Sequence, residues 1–323
     1  MNGKLKILKK PRLKNPILVA AWPGMGEVAF RAGSFMVEAL KCEEFARIES
    51  GDFFYHTGSL IQDGIINTPK LPTSVFYYFR NKHGKNDLIV FLSNAQPDLS
   101  KAGGYSKLIT GLAKEFRVST VFTFAAMPLP IDHTQESQPW ACATDKALLA
   151  ELKKNDLNTV NEANISGMNG LFMGLAKQAG FKGISILGEI PLYTIQIANP
   201  KASLSVISAF SKITGINMDT QALVEESKKV DSEIEKLVDY LKASAPKADE
   251  PIDEEEIQQL KKSLSQHTKL PESVKIKVEL LFDQAKKDIT KANDLKKELD
   301  KWAAYKDYED RFLDLFKKTK EKA

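Results

Sequence analysis

The first residues arranged for chemistry are Gly24-Met25-Gly26-Glu27-Val28-Ala29, a G-x-G-x-x-A pattern. They follow the apolar run Ile17–Ala21, so a strand, a glycine turn and a helix start are expected in that order. Such turns bind dinucleotides because glycines admit a pyrophosphate and the helix start offers free N–H groups. Pro23 separates strand from turn, and Glu49 is the only candidate for the ribose-binding acid expected about 20 residues on. Glu27 also places a negative charge beside the anion position. The readings left open are a tight βα turn, an anion or nucleotide site and, least supported, an NAD site.

Two strand exits carry further candidates. Leu88–Leu92 runs into Ser93-Asn94-Ala95-Gln96-Pro97-Asp98, and Val118–Phe124 runs into Ala125-Ala126-Met127-Pro128-Leu129-Pro130. Ligands of open α/β sheets bind beyond the carboxyl ends of the strands. Asn94, Gln96 and Asp98 could thus share a crevice with the glycine turn; equally, they are ordinary polar punctuation at strand ends. His133, in the loop Pro130–Thr134, stands where an acid/base residue can work. A hydrogen-bonded loop histidine is the plainer reading, with Asp132 not expected to face it. Gly167-Met168-Asn169-Gly170 reads as a helix start whose N–H groups could hold an anion or a carbonyl. Glu189, at the tip of the strand exit Gly188–Tyr193, could be a base, a metal ligand or a capping acceptor. For both segments turn geometry is the plainer explanation.

Other chemistries lack their motifs. His56, His83, His133 and His267 show neither H-x-x-x-H nor H-E-x-x-H spacing, and Cys42 and Cys142 form no C-x-x-C pair. There is no G-x-S-x-G elbow and no P-loop. No catalytic residue, metal or cofactor is therefore expected.

Strand-like and helix-like segments alternate up to about residue 220. The strand runs are Ile17–Ala21, Phe45–Ile48, Ser74–Phe79, Leu88–Leu92, Val118–Phe124 and Ile184–Leu187. Helical spacing covers Ala29–Leu40, Ser100–Phe116 and Met168–Ala179. This alternation predicts a mostly parallel sheet covered on both faces. Gly51–Asn67 reads as a hairpin of FFYHT and LIQDGII turning at Gly58-Ser59. Asp219–Lys242 is one amphipathic helix, with Asp219 or Thr220 as N-cap. The segment SAPKADEPIDEEE reads as a loop, with helix resuming near Glu254 and Pro271 in a first turn. From Val278 to Trp302 apolar residues step by three or four, a stripe that can pack along another helix of this chain or of a partner.

At 323 residues with 43% hydrophobic side chains, the chain can bury a substantial core and supports about two domains. A net charge of +4 gives no basic face of the kind nucleic acid requires. The basic N-terminus lacks a signal-peptide core and no apolar run reaches membrane-spanning length, so neither secretion nor a membrane is expected. Two isolated thiols fit a reducing cytoplasm.

Taken in order, PILVAAWPGMGEVA, DLIVFLSNAQPD, TFAAMPLPIDHT, ISGMNGLFMGLAKQAG and GISILGEIPLYTIQIANPKAS resemble the PAC2 (proteasome assembly chaperone 2) family from about Pro16 to about residue 225. The Pro-Gly-x-Gly turn, the Gly-Met-Asn-Gly helix start and the Gly-Glu-x-Pro-x-Tyr strand exit carry the likeness together. It implies a three-layer α/β/α domain similar to nucleoside phosphorylases and hydrolases, over residues 1–225. A helical region over 226–323 would serve oligomerisation or client contact. It also implies a homo-oligomer whose partners are proteasome subunits or another protein client. The family offers no agreed catalytic set; Pro23, Gly24, Gly26, Asn169, Gly170 and Glu189 match its motifs. Two departures stand out. Some relatives end in a hydrophobic–tyrosine–any-residue tail, whereas this chain ends Glu321-Lys322-Ala323. A glycine–acid pair common after the strand is here Ser93-Asn94, which removes a charge from the crevice.

Two functions follow as expectations. The first is a non-enzymatic, oligomeric assembly chaperone or scaffold. The second is an enzyme or binder of a nucleoside, nucleotide or other phosphate-bearing ligand. It would use a crevice of Pro23, Gly24, Gly26, Asn94, Gln96, His133, Asn169, Gly170 and Glu189.

Overall fold

The computed structural model describes residues 5–243, 272–301 and 305–320, apart from 57, 63 and 83. The readings placed on residues 244–271, including the SAPKADEPIDEEE loop and Pro271, and on Trp302, His83 and His267 lie outside them. The chain forms two compact units. One holds the described residues of Met1–Tyr55 and Lys70–Thr268, the other those of His56–Pro69 and Lys269–Ala323.

In order, the elements are β1 (Leu5–Ile7), β2 (Ile17–Ala21), α1 (Val28–Ala39), β3 (Glu43–Ile48), β4 (Leu60–Gln62), β5 (Ile65–Asn67), β6 (Ser74–Phe79) and β7 (Leu88–Ser93). Next come α2 (Ala102–Glu115), β8 (Thr120–Leu129), β9 (Pro139–Ala143), α3 (Lys146–Lys154), β10 (Asn158–Thr159), α4 (Gly167–Gln178) and β11 (Lys182–Pro191). Then follow α5 (Pro200–Thr214), α6 (Gln221–Ala243), α7 (Glu272–Lys287), α8 (Ala292–Lys301) and α9 (Tyr305–Lys320).

Nine strands make the main sheet, in the order β1-β3-β6-β7-β2-β8-β11-β9-β10. The centre, β7-β2-β8-β11, is parallel, as the alternation of strands and helices requires. The flanks are mixed: β1, β3, β6 and β7 pair antiparallel, as do β11 and β9, while the edge pair β9 and β10 is parallel. The expected mostly parallel sheet is therefore a mixed one. Strand direction depends on connections, which hydrophobic spacing does not encode.

Each central strand is buried on both faces, which explains the unbroken apolar runs Ile17–Ala21 of β2 and Leu88–Leu92 of β7. Along β2, Ile17, Val19 and Ala21 join the core beneath α1 and α5. Leu18, Ala20 and the following Trp22 join the opposite core beneath α2 and α4. Helices thus cover both faces, giving the α/β/α layering. Asp219 caps α6, its carboxylate accepting from the Gln221 N–H at 2.9 Å.

In the second unit, β4 and β5 pair Gln62 with Ile65 and Ile61 with Ile66. The hairpin therefore turns between Gln62 and Ile65, where Gly64 lies, not at Gly58-Ser59. Asp-Gly is the better two-residue turn, and Gly64 has the positive φ it needs (78°). Phe53 and Phe54, expected in the first strand, are buried in the first unit's core instead. The apolar stripe folds on itself. Val278, Ala285, Ala292, Leu295 and Leu299 share one core across α7 and α8, with Phe312 and Leu315 from α9. Asp288 breaks the stripe between α7 and α8, accepting from the Thr290 N–H at 3.0 Å.

Candidate functional site

The polar groups at the carboxyl ends of the central strands fall into two clusters. The first surrounds the glycine turn. Asn169, in the first turn of α4, is aimed at the end of β2. Its Oδ1 accepts from the Trp22 N–H and its Nδ2 donates to the Trp22 carbonyl, both at 3.0 Å. Gln96, beyond β7, donates from Nε2 to the Pro23 carbonyl at 2.7 Å. Its Oε1 accepts the Met168 N–H at 2.9 Å. Both side chains are buried. Gly24 lies against Asn169; a Cβ there would sit 3.3 Å from its Nδ2.

Gly26 is locked from the other side, where its N–H donates to the Ile195 carbonyl at 2.9 Å and its carbonyl accepts the Asn199 N–H at 2.8 Å. Its φ of 59° favours glycine, and Glu27 follows with φ 54°. The dinucleotide arrangement needs free amides at the turn and helix start. Here the Gly26 amide, and the Met168 amide at the start of α4, are taken by the protein's own acceptors. Gly170 packs directly on Ile165, its Cβ position falling on the Ile165 carbonyl oxygen.

The second cluster lies beyond β8 and β11. His133 Nδ1 is 2.9 Å from the Tyr193 hydroxyl, which also accepts the His133 N–H at 2.8 Å. Asp132, not expected to face His133, does reach it, with Oδ1 3.5 Å from Nδ1. Lys201 of α5 donates to the His133 carbonyl at 2.7 Å and pairs with Asp231 of α6 at 2.7 Å. These contacts hold the loop after β8 to α5 and α6. Burial pushes the Tyr193 phenol above its ordinary pKa, against the His133 backbone hydrogen bond that lowers it.

The remaining candidates are clips between neighbouring strands. Glu189 Oε1 accepts from Trp140 Nε1 at 2.7 Å and Oε2 from the Gln138 N–H at 3.2 Å, pinning the start of β9 to β11. Asn94 Oδ1 accepts the Thr73 N–H at 2.7 Å, fastening the exit of β7 to the approach to β6. Asp98 caps a short turn by accepting the Ser100 N–H at 2.9 Å.

Pro23, Gly24, Gln96 and Asn169 therefore stand together, with Gly26 and Gly170 on either side. His133 belongs to the second cluster, while Asn94 and Glu189 serve their own strand pairs. Trp22, Asn199, Lys201 and Asp231 were missed by sequence reasoning, because a tryptophan main chain and a lysine in the first turn of a helix carry no local signature. Among the described residues no group of three or more His, Cys, Asp or Glu could hold a metal ion.

Residues 18–238 match the PAC2 family. The chain belongs to the PAC2 family. The chain is similar to the uncharacterised protein MJ1210 of Methanocaldococcus jannaschii, 28% identical over 70% of this chain and 84% of the relative. Pyrococcus furiosus PbaB, an archaeal proteasome activator, superposes with a TM-score of 0.63 at 25% identity, covering 73% of this chain and 98% of PbaB. Pyrococcus furiosus PbaA, an archaeal homologue of proteasome-assembly chaperone, shares the fold with a TM-score of 0.56 at 21% identity, covering 76% of this chain and all of PbaA (100%). The glycine turn, the α4 start and the β11 exit all lie within the matched residues. No described helix is long and apolar enough to cross a membrane.

Proposed function

We propose that this PAC2 protein is a non-enzymatic, cytoplasmic assembly chaperone that works as a homo-oligomer on a protein client, a proteasome subunit being the leading candidate. The observation carrying this reading is that the family's motif residues serve as internal fasteners. The amide and carbonyl groups of Trp22 and Gly26, the Pro23 carbonyl and the Met168 amide are paired inside the protein. A nucleotide would have to displace bonds already made between buried partners, and each such loss leaves a costly orphan. The likeness to an archaeal proteasome activator supports a protein as the partner.

Residues 1–225 form the scaffold in this reading and residues 226–323 provide oligomer or client contact. Support for contact surfaces comes from the second unit. Leu60, Ile61, Ile65 and Ile66 of the hairpin and Leu280, Leu313 and Phe316 of the helices are exposed. Exposed apolar groups of this kind mark protein contacts.

Thermal-shift measurements against nucleotides, nucleosides and phosphate, beside light scattering of the intact protein, test the proposal. A stable oligomer with no ligand-dependent shift is expected. A saturable shift with a nucleotide would overturn it, because a ligand bound only to the native state raises stability by about 2.7 kcal/mol at a hundredfold excess over Kd.

A further inference from the structure

At the opposite end of the sheet from the glycine turn lies an open cavity of about 290 Å³. That is the small end of the range for ligand pockets, roughly 300–1,000 Å³. Its floor is Ile17, Phe122 and Ile184, one residue from each of β2, β8 and β11, all on the α5 side of the sheet. Leu148 and Leu152 of α3 and Ile213 of α5 form its walls. An apolar body is therefore the part of a ligand that belongs inside.

The rim selects the head group. Asn15 Nδ2 donates to Asn86 Oδ1 at 2.6 Å, which leaves the Asn15 carbonyl oxygen as an acceptor. Asn155 Nδ2 donates to the Glu151 main-chain carbonyl at 2.9 Å, which leaves the Asn155 Oδ1 as an acceptor. The Thr214 hydroxyl is already used by Phe210 at 2.8 Å and Ile216 at 3.2 Å. Among the described residues, Glu151 is the single ionisable residue lining the cavity. Both α3 and α5 end at this rim, through Asn155 and Thr214, and helix carboxyl ends favour cations. Lys153, Lys154 and Lys212 sit in those last turns but do not line the cavity.

We propose that this cavity binds a small cationic amphiphile, a primary ammonium carried on a short aromatic or branched aliphatic body. The body fills the space between α3 and α5, and the ammonium meets Glu151 and the amide oxygens of Asn15 and Asn155. The site is independent of the crevice and of the chaperone reading.

Tryptamine, indole and indole-3-acetate are suitable probes, titrated into the intact protein while the methyl NMR signals of Ile17, Ile184, Ile213 and Leu148 are followed. Tryptamine is expected to shift these signals saturably, with a Kd on the order of 1 mM for about a dozen heavy atoms. Indole-3-acetate should bind about two- to fivefold more weakly, given the modest worth of an exposed ion pair. Glu151→Gln should reduce tryptamine affinity by a similar factor and leave indole unchanged. Leu148→Trp, which fills the cavity, should abolish binding of both, with signals from the crevice residues unmoved as the control for folding. No saturable shift with tryptamine, or equal binding of tryptamine and indole-3-acetate, would overturn the proposal. So would an unchanged tryptamine affinity in Glu151→Gln.

Discussion

Asn169 and Trp22, 147 residues apart in the chain, exchange two hydrogen bonds of 3.0 Å, side-chain amide against main chain. The start of α4 is thereby bonded to the end of β2 as one strand is bonded to another. Replacing Asn169 with alanine orphans a buried N–H and a buried carbonyl. Asn169→Ala should lower the free energy of unfolding by about 2–6 kcal/mol, at roughly 1–3 kcal/mol per orphaned group. Urea unfolding followed by circular dichroism measures this, and a loss under about 0.5 kcal/mol would mean that water replaces the amide.

Two glycines of the same helix should respond in opposite directions. Gly167 has φ 72°, and a Cβ there would come within 2.8 Å of the Gln96 amide. Gly167→Ala is expected to destabilise by about 1–3 kcal/mol. Gly174 is exposed, with open space around its Cβ position. Gly174→Ala should stabilise by about 0.5–1 kcal/mol, as alanine does in a helix interior. Thermal melts of the two variants check both signs.

Burial raises the Cys42 thiol from its ordinary 9.0 to about 12. The folded state thus keeps this proton where the unfolded chain loses it. The contribution is complete below pH 9 and disappears as the pH climbs from 9 towards about 12. Stability should fall across this window by up to about 1.4 kcal/mol per pH unit from this group. Cys42→Ala should flatten that slope in denaturation midpoints measured at successive pH values. The same burial should keep Cys42 unreactive towards thiol reagents at pH 8 until the protein unfolds.

The exposed pair Ile61 and Ile66, opposite each other on the hairpin, offers a test of the contact surface. Ile61→Lys with Ile66→Lys should leave the melting temperature of the α/β unit within about 2 °C, since surface substitutions usually change stability by under 0.5 kcal/mol. It should nonetheless weaken oligomer or client binding. Deleting the residues after 245 should do the same while the α/β unit stays folded. Light scattering that reports an unchanged mass for the truncated chain would remove the C-terminal region from that role.

Much of this fold was legible because parallel strands buried on both faces, such as β2 and β7, have no polar positions to hide them. The hairpin turn was misplaced because Gly58-Ser59 and Asp63-Gly64 both read as turns, and only the pairing of Ile61 with Ile66 decides between them. The flanking strand directions were invisible, since β3 and β6 have the same composition either way round. At the crevice, residue choice was partly readable and residue purpose was not. Gln96 and Asn169 were named from motif and position. Their partners, Pro23 and Trp22, are 73 and 147 residues away and contribute main chain, which sequence does not mark. The G-x-G-x-x-A pattern itself serves tight packing: Gly24 against Asn169, Gly26 between Ile195 and Asn199.

Affinity capture of the intact protein from cells of its own source, quantified by mass spectrometry, tests the chaperone reading most directly. Proteasome subunits or one other defined protein should be recovered in near-stoichiometric amounts and lost with the Ile61→Lys, Ile66→Lys variant. Recovery of no stoichiometric protein partner, together with a nucleotide retained by the purified protein, would contradict it.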